Sequence, residues 1–193
     1  VVEEDEKGKS LLNQVRIWLD RVSPGVSPQI KVMMESRASE LSFDFIEGKE
    51  KTNSYKSLNV GFGITYILPV IIALLSSKEG DLIIIENPEA HIHPAGQRML
   101  GELIARAGAG GAQIIVETHS EHIIDGARVQ AAWLKRTDDI KIYFFAKEKE
   151  GIQVNKIDVD KNGELSEWPK GFFDQKSQDL RDLFEIRRKN AGH

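Results

Sequence analysis

The sequence predicts an α/β fold: a mostly parallel sheet flanked by helices, followed by a C-terminal hairpin and helix. Three observations predict it. Two short apolar runs, Asp81 to Glu86 and Gln113 to Glu117, end abruptly in polar residues, as strands buried on both faces of a parallel or mixed sheet do. Helical stretches alternate with them, at 63–77, from Pro94 to about Ala107 and from about Ser120, and such alternation with short links implies parallel pairing through right-handed crossovers. From Ile140 the character changes: Lys141 to Ala146 and Gly151 to Asp158 read as a hairpin that turns near Glu148-Lys149-Glu150-Gly151, and a last helix over about 174–189 carries Leu180, Leu183, Phe184 and Ile186.

The earlier elements follow from spacing and punctuation. Leu11, Val15, Trp18 and Val22 recur at helical intervals, which predicts an amphipathic helix over 10–22 that Ser23-Pro24-Gly25-Val26-Ser27-Pro28 ends. Ile30 to Glu35 and Leu41 to Glu47 read as strands; in the second, Leu41, Phe43 and Phe45 alternate with Ser42 and Asp44. The polar stretch from Gly48 to Ser57 reads as a loop. The 63–77 helix contains Pro69, where a kink is expected because proline lacks an N–H and crowds the preceding turn. Pro94 suits a first helical turn, and Gly108-Ala109-Gly110-Gly111 stops the helix it opens.

Composition narrows the function classes. With 193 residues, 40% hydrophobic and 29% charged, the chain can bury a core and is not of disordered type. A net charge of −4 gives no global basic field for nucleic acid, although a local patch is compatible with it. The absence of cysteine excludes disulfides and thiolate metal sites. The acidic start has no basic n-region, and the longest apolar stretch, Ile64 to Leu75, is too short to span a bilayer, so a cytoplasmic location without membrane partners is expected.

Three loops carry candidate chemistry, because ligands of open α/β sheets collect at the carboxyl ends of strands. Glu86-Asn87-Pro88-Glu89 offers carboxylates that can hold a metal or orient a nucleophile; the alternative is a polar exit loop. Thr118-His119-Ser120 offers a histidine able to hydrogen-bond a terminal phosphate; the alternative is a helix cap. Asn59-Val60-Gly61-Phe62-Gly63 offers two glycines and a helix N-terminus to an anion; the alternative is a tight turn.

Taken in order, these three motifs, with Ile83-Ile84-Ile85 before the first acid and Ala90-His91-Ile92-His93-Pro94 after it, resemble the C-terminal half of an ABC-type (P-loop) ATPase domain. The resemblance is to the RecF-like and overcoming-lysogenization-defect-like branch, and Trp168-Pro169-Lys170-Gly171-Phe172-Phe173-Asp174 resembles the end domain of one subgroup. It implies residues 1–58 preceding the signature motif, an ATPase core over 59–148 and an extension over 149–193. It implies ATP and Mg²⁺ as ligands. Glu86 takes the Walker B position on the metal, and Asn87 stands where many relatives carry the catalytic glutamate, so Glu89 or another group would supply the base. His119 is the switch residue at the γ-phosphate. Asn59, Gly61 and Gly63 form the signature that meets ATP on a second protomer, with two nucleotides sandwiched between subunits. DNA or a nuclease partner is expected from the functions of relatives.

One motif of that resemblance is missing. A P-loop needs Gly-x-x-x-x-Gly-Lys-[Ser/Thr]; Gly8-Lys9-Ser10 imitates its end, but Glu3 stands at the first glycine and no apolar strand precedes it, so a helix start is the expected role. The nucleotide-anchoring half of the domain is expected on polypeptide outside this sequence, and the sequence alone is expected to bind ATP weakly or not at all. Two rivals remain. His91, His93, His119 and His122 could ligate zinc in a metal hydrolase, although no HExxH or inverse motif is present. An ATP-gated dimerising module without hydrolysis would account for Asn87. Asp158, Asp160, Asn162 and Gly163 imitate half a calcium loop, but the required glutamate position is Pro169, so a turn is expected.

Overall fold

The structure, a computed structural model, describes residues 10–34, 37–47, 50–51, 54–149 and 151–191. Helix α1 (Leu11–Val22) starts where Ser10 Oγ accepts the Asn13 N–H at 3.4 Å, and its apolar stripe buries Val15, Trp18, Leu19 and Val22. Ser10 thus caps a helix; Gly8 and Lys9 lie outside the described residues.

Strands β1 (Val26–Met33) and β2 (Ala38–Glu47) pair antiparallel from Val26 opposite Phe45 to Met33 opposite Ala38. Strand β1 begins earlier than its sequence suggests and runs through Pro28, which is tolerated because β1 lies at the edge of its sheet. The expected polar loop also holds two short strands, β3 (Glu50–Lys51) and β4 (Tyr55–Lys56), both paired with β2. A single helical turn (Ser57–Asn59) leads to α2 (Phe62–Ser76), which runs unbroken past Pro69.

The centre is one βαβ unit and a continuation: β5 (Leu82–Glu86), α3 (Pro94–Ala109), β6 (Gln113–Glu117) and α4 (Glu121–Trp133). Strands β5 and β6 are parallel and in register from Leu82 opposite Gln113 to Glu86 opposite Glu117. Helices α3 and α4 meet backbone to backbone: a Cβ on Gly101 would fall 2.1 Å from the Ile123 carbonyl oxygen, and one on Gly126 2.1 Å from that of Arg98. The hairpin β7 (Ile142–Glu148) and β8 (Gly151–Ile157) follows, and then helix α5 (Gln175–Ala191).

Two expectations are corrected. The sheets are mainly antiparallel rather than mostly parallel; only β5 with β6 runs parallel among the described strands. A crossover helix separates only that pair, whereas β1–β2 and β7–β8 are separated by four and two residues, links too short for anything but antiparallel pairing. Nor are β5 and β6 buried on both faces. Ile83, Ile85, Ile114 and Val116 pack on the core formed with α1, α2 and α3. Leu82, Ile84 and Ile115 point the other way and are 57%, 65% and 51% exposed, since none of the described helices covers that face. On α5, Leu180, Leu183, Phe184 and Ile186 are exposed as well. No helix among the described residues is long and apolar enough to cross a membrane.

Candidate functional site

The register of the parallel pair places Glu86 beside Glu117 at the carboxyl ends of β5 and β6. The Asn87 N–H donates to the Glu117 carbonyl at 2.9 Å, which extends the ladder by one residue. Asn87 then takes φ +46°, a left-handed conformation that asparagine tolerates better than most residues, and the chain leaves the sheet. Two tight turns follow, Ala90 N–H to Asn87 C=O (3.2 Å) and Ile92 N–H to Glu89 C=O (3.1 Å). His93 Nδ1 accepts the Ala95 N–H at 3.2 Å and so caps α3 ahead of Pro94.

Glu89 reaches the neighbouring loop. Its Oε2 accepts from Thr118 Oγ1 at 2.7 Å and its Oε1 from the His119 backbone N–H at 2.6 Å. Ser120 caps α4 by accepting the Ile123 N–H at 3.3 Å, so the helix-cap role holds for this serine. The His119 ring itself is 80% exposed, with Nε2 3.2 Å from Glu117 Oε1.

The glycine turn joins the same end of the sheet. Gly61 is the N-cap of α2 and has no side-chain cap. A Cβ on Gly63 would fall 2.4 Å from the His91 carbonyl oxygen, so only glycine permits this approach. Phe62 meets the His91 ring edge-on at 5.1 Å, and the Tyr66 hydroxyl donates to the Glu86 carbonyl at 3.0 Å. The structure therefore brings Glu86, Asn87, Glu89 and His119 to one rim, with the Gly61–Gly63 turn beside it and Asn59 just ahead of that turn.

Sequence reasoning overlooked three residues. Glu117 was legible, since two acids ending two parallel strands fall in register. Tyr66 and Gln97 carry no sequence signal; each acts through a bond to a group 20 or more residues away, the Glu86 carbonyl and the Ser120 hydroxyl respectively. Glu86 and Glu117 end neighbouring strands in register with exposed side chains, and carboxylate oxygens are ligands that suit Mg²⁺, a cation that takes one or two carboxylates and keeps several waters. Among the described residues no three His, Asp or Glu side chains gather around one point, and His93 is engaged as a cap. In the acidic turn, Asp160 accepts the N–H groups of Glu164 and Asn162, each at 2.8 Å, and these hold its carboxyl below the ordinary value.

A family model described as "AAA domain, putative AbiEii toxin, Type IV TA system" matches residues 4–125, well over half of the chain. The chain belongs to this family. A second model, described as protein of unknown function (DUF3696), matches residues 136–183 of the AAA-domain chain, a span that includes the Trp168–Asp174 motif. No curated protein matches. Among solved structures, one from work on ATP-driven dimerization and DNA-stimulated activation of SMC ATPases aligns with a TM-score of 0.55 at 15% identity, over 93% of this chain and 92% of that one. The SMC head bound to the C-terminal winged-helix domain of ScpA aligns at 0.59 and 15%, over 79% and 44%. A Pyrococcus furiosus SMC head with an extended coiled coil, bound to the C-terminal domain of ScpA, aligns at 0.55 and 14%, over 93% and 38%. The AAA domain thus has the fold of SMC ATPase heads, and it spans less than half of the latter two chains.

Proposed function

We propose that this chain is the C-terminal half of an ATP-binding and ATP-hydrolysing domain of the RecF-like and overcoming-lysogenization-defect-like branch. The observation that carries it is the meeting of three sequence-distant loops at the carboxyl rim of β5 and β6. Glu86, with Glu117 beside it, would hold Mg²⁺, which when bound screens phosphate charge. His119 would bond the γ-phosphate through its exposed ring. The turn of Asn59, Gly61 and Gly63 would present free N–H groups to ATP held by a second protomer. In this scheme residues 1–58 lead into the core at 59–148, and 149–193 form an extension; the border at 148 is the last residue of β7 and divides the β7–β8 hairpin.

The phosphate-anchoring loop would come from further polypeptide of the same domain, which supports the expectation that this chain alone hydrolyses nothing. Two features favour such a neighbour. The apolar face of Leu82, Ile84 and Ile115 is bare, although parallel sheets are normally covered on both sides. Strands β6 and β7, each with one described partner, line a common cavity of about 980 Å³. Coupling to DNA, to phage defence or to a nuclease subunit is part of the same proposal and rests on the resemblance.

In the full-length protein that carries the P-loop, Glu86→Gln and His119→Ala should each lower Mg²⁺-dependent phosphate release by about 100-fold or more. A full-length protein that binds no ATP would overturn the proposal. A second reading, ATP-gated dimerisation without significant hydrolysis, is favoured by the amide at Asn87. It predicts ATP binding and dimer formation with no phosphate release.

A further inference from the structure

We propose that Glu89 is a positioning residue: its carboxylate fixes the backbone of His119 and locks the loop after β5 to the loop after β6. The inference deepens the ATPase reading and rests on it for its effect on turnover. Both carboxylate oxygens of Glu89 are taken up by the neighbouring loop, one by the Thr118 hydroxyl at 2.7 Å and one by the His119 N–H at 2.6 Å. Hydrogen bonds to an ionised acceptor are roughly twice as strong as neutral ones, and Glu89 is part-buried.

The bonds continue into a closed ring. Thr118 Oγ1 accepts the Ser120 N–H at 3.1 Å, and Ser120 Oγ donates to Gln97 Oε1 at 2.6 Å. Gln97 Nε2 in turn donates to the carbonyls of Ile92 (2.8 Å) and Glu89 (3.4 Å). The ring therefore ties together the loop after β5, helix α3, the loop after β6 and the N-terminus of α4. The Gly61–Gly63 turn presses on the same post-β5 loop through His91.

The division of labour at His119 follows. Its N–H is held by Glu89, whereas its ring is exposed and meets the Glu117 carboxylate at 3.2 Å. A group that grips the backbone and leaves the ring free sets where the ring stands without touching a nucleotide. Any shift of the post-β5 loop, such as a second protomer would impose, would move His119 with it. Glu89 is then neither the proton acceptor for the attacking water nor a metal ligand.

The test uses the full-length protein and four variants, Glu89→Ala, Glu89→Gln, Thr118→Val and the double Glu89→Ala/Thr118→Val. The first readout is amide hydrogen exchange at His119 without nucleotide. Glu89→Ala should accelerate it about tenfold, the worth of one charge-assisted bond, while the isosteric Glu89→Gln, whose amide oxygen can still accept, should change it less than about threefold. The double variant should exchange no faster than Glu89→Ala, because one unit is broken only once. The second readout is turnover: kcat falls about tenfold in Glu89→Ala with KM for ATP within about twofold, and Glu89→Gln recovers most of it. The proposal is overturned if Glu89→Gln reduces kcat to background while His119 exchange stays at the wild-type rate, which would make Glu89 the base. It is overturned equally if Glu89→Ala leaves His119 exchange unchanged. Exchange that responds as expected in a protein without any turnover would sustain the latch and sink the ATPase reading.

Discussion

Gly61 and Gly63 sit two residues apart in one turn, yet a methyl group would have opposite consequences at each. At Gly63 it would collide with the His91 carbonyl; at Gly61 it would meet nothing within 4 Å, and φ is −56°, which alanine adopts freely. Gly63→Ala should therefore destabilise the protein by about 1–3 kcal/mol in thermal denaturation, by the cost of overpacking a close contact. Gly61→Ala should leave the melting temperature within about 1 °C and weaken ATP-driven dimerisation, measured by sedimentation in the full-length protein. Equal destabilisation by both would show that the turn is structural throughout. The same contrast separates what was legible here from what was not. That glycines occupy this turn was visible in the sequence; which one is held by a carbonyl 28 residues downstream depends on how α2 docks on the post-β5 loop.

At the scale of elements, helices were the most legible because each carries its own signals. Ser10 and Ser120 cap their helices, Pro94 opens a first turn, and the stripe through Val15, Trp18 and Val22 is buried as its period requires. The hairpin was legible from alternation and a polar turn. Strands β3 and β4 were not, since two residues of pairing leave no periodicity in a polar segment. Burial of β5 and β6 was over-read for a different reason. An apolar run records that a surface is meant to be covered and is silent on which polypeptide covers it. The acidic turn after β8 belongs at this scale too. The N–H groups of Glu164 and Asn162 lower the Asp160 carboxyl below its unfolded value of 3.8. The ordering they give the turn is complete above that value and is lost as pH falls through the lowered one. The protection of the Asn162 and Glu164 amides, expressed relative to the intrinsic exchange rate at each pH and followed from about pH 5 to about pH 2, should hold at first and drop only toward the acid end. Unchanged protection at the acid end would show that the Val159–Leu165 bridge holds the turn without the carboxylate.

For the whole molecule, the order of motifs carried more than any single one. Three short segments, each ambiguous alone, converge on one rim, and the family match over residues 4–125 covers all three. The chain shares the fold of SMC heads and spans less than half of two of the SMC-head chains it aligns with. Residues such as Gln97 and Tyr66, which knit the rim together, stayed hidden because the Ser120 hydroxyl and the Glu86 carbonyl that they meet lie 23 and 20 residues away, respectively.

On the proposed reading further polypeptide would cover the bare side of the parallel pair, and solubility would report that assembly. A strand edge beside exposed isoleucines is a template for adhesion between copies. Expressed by itself, the chain should form polydisperse aggregates at micromolar concentrations, detectable by light scattering. Ile84→Lys with Ile115→Lys should disperse them, and the same pair of charges introduced into the full-length protein should prevent that protein from maturing.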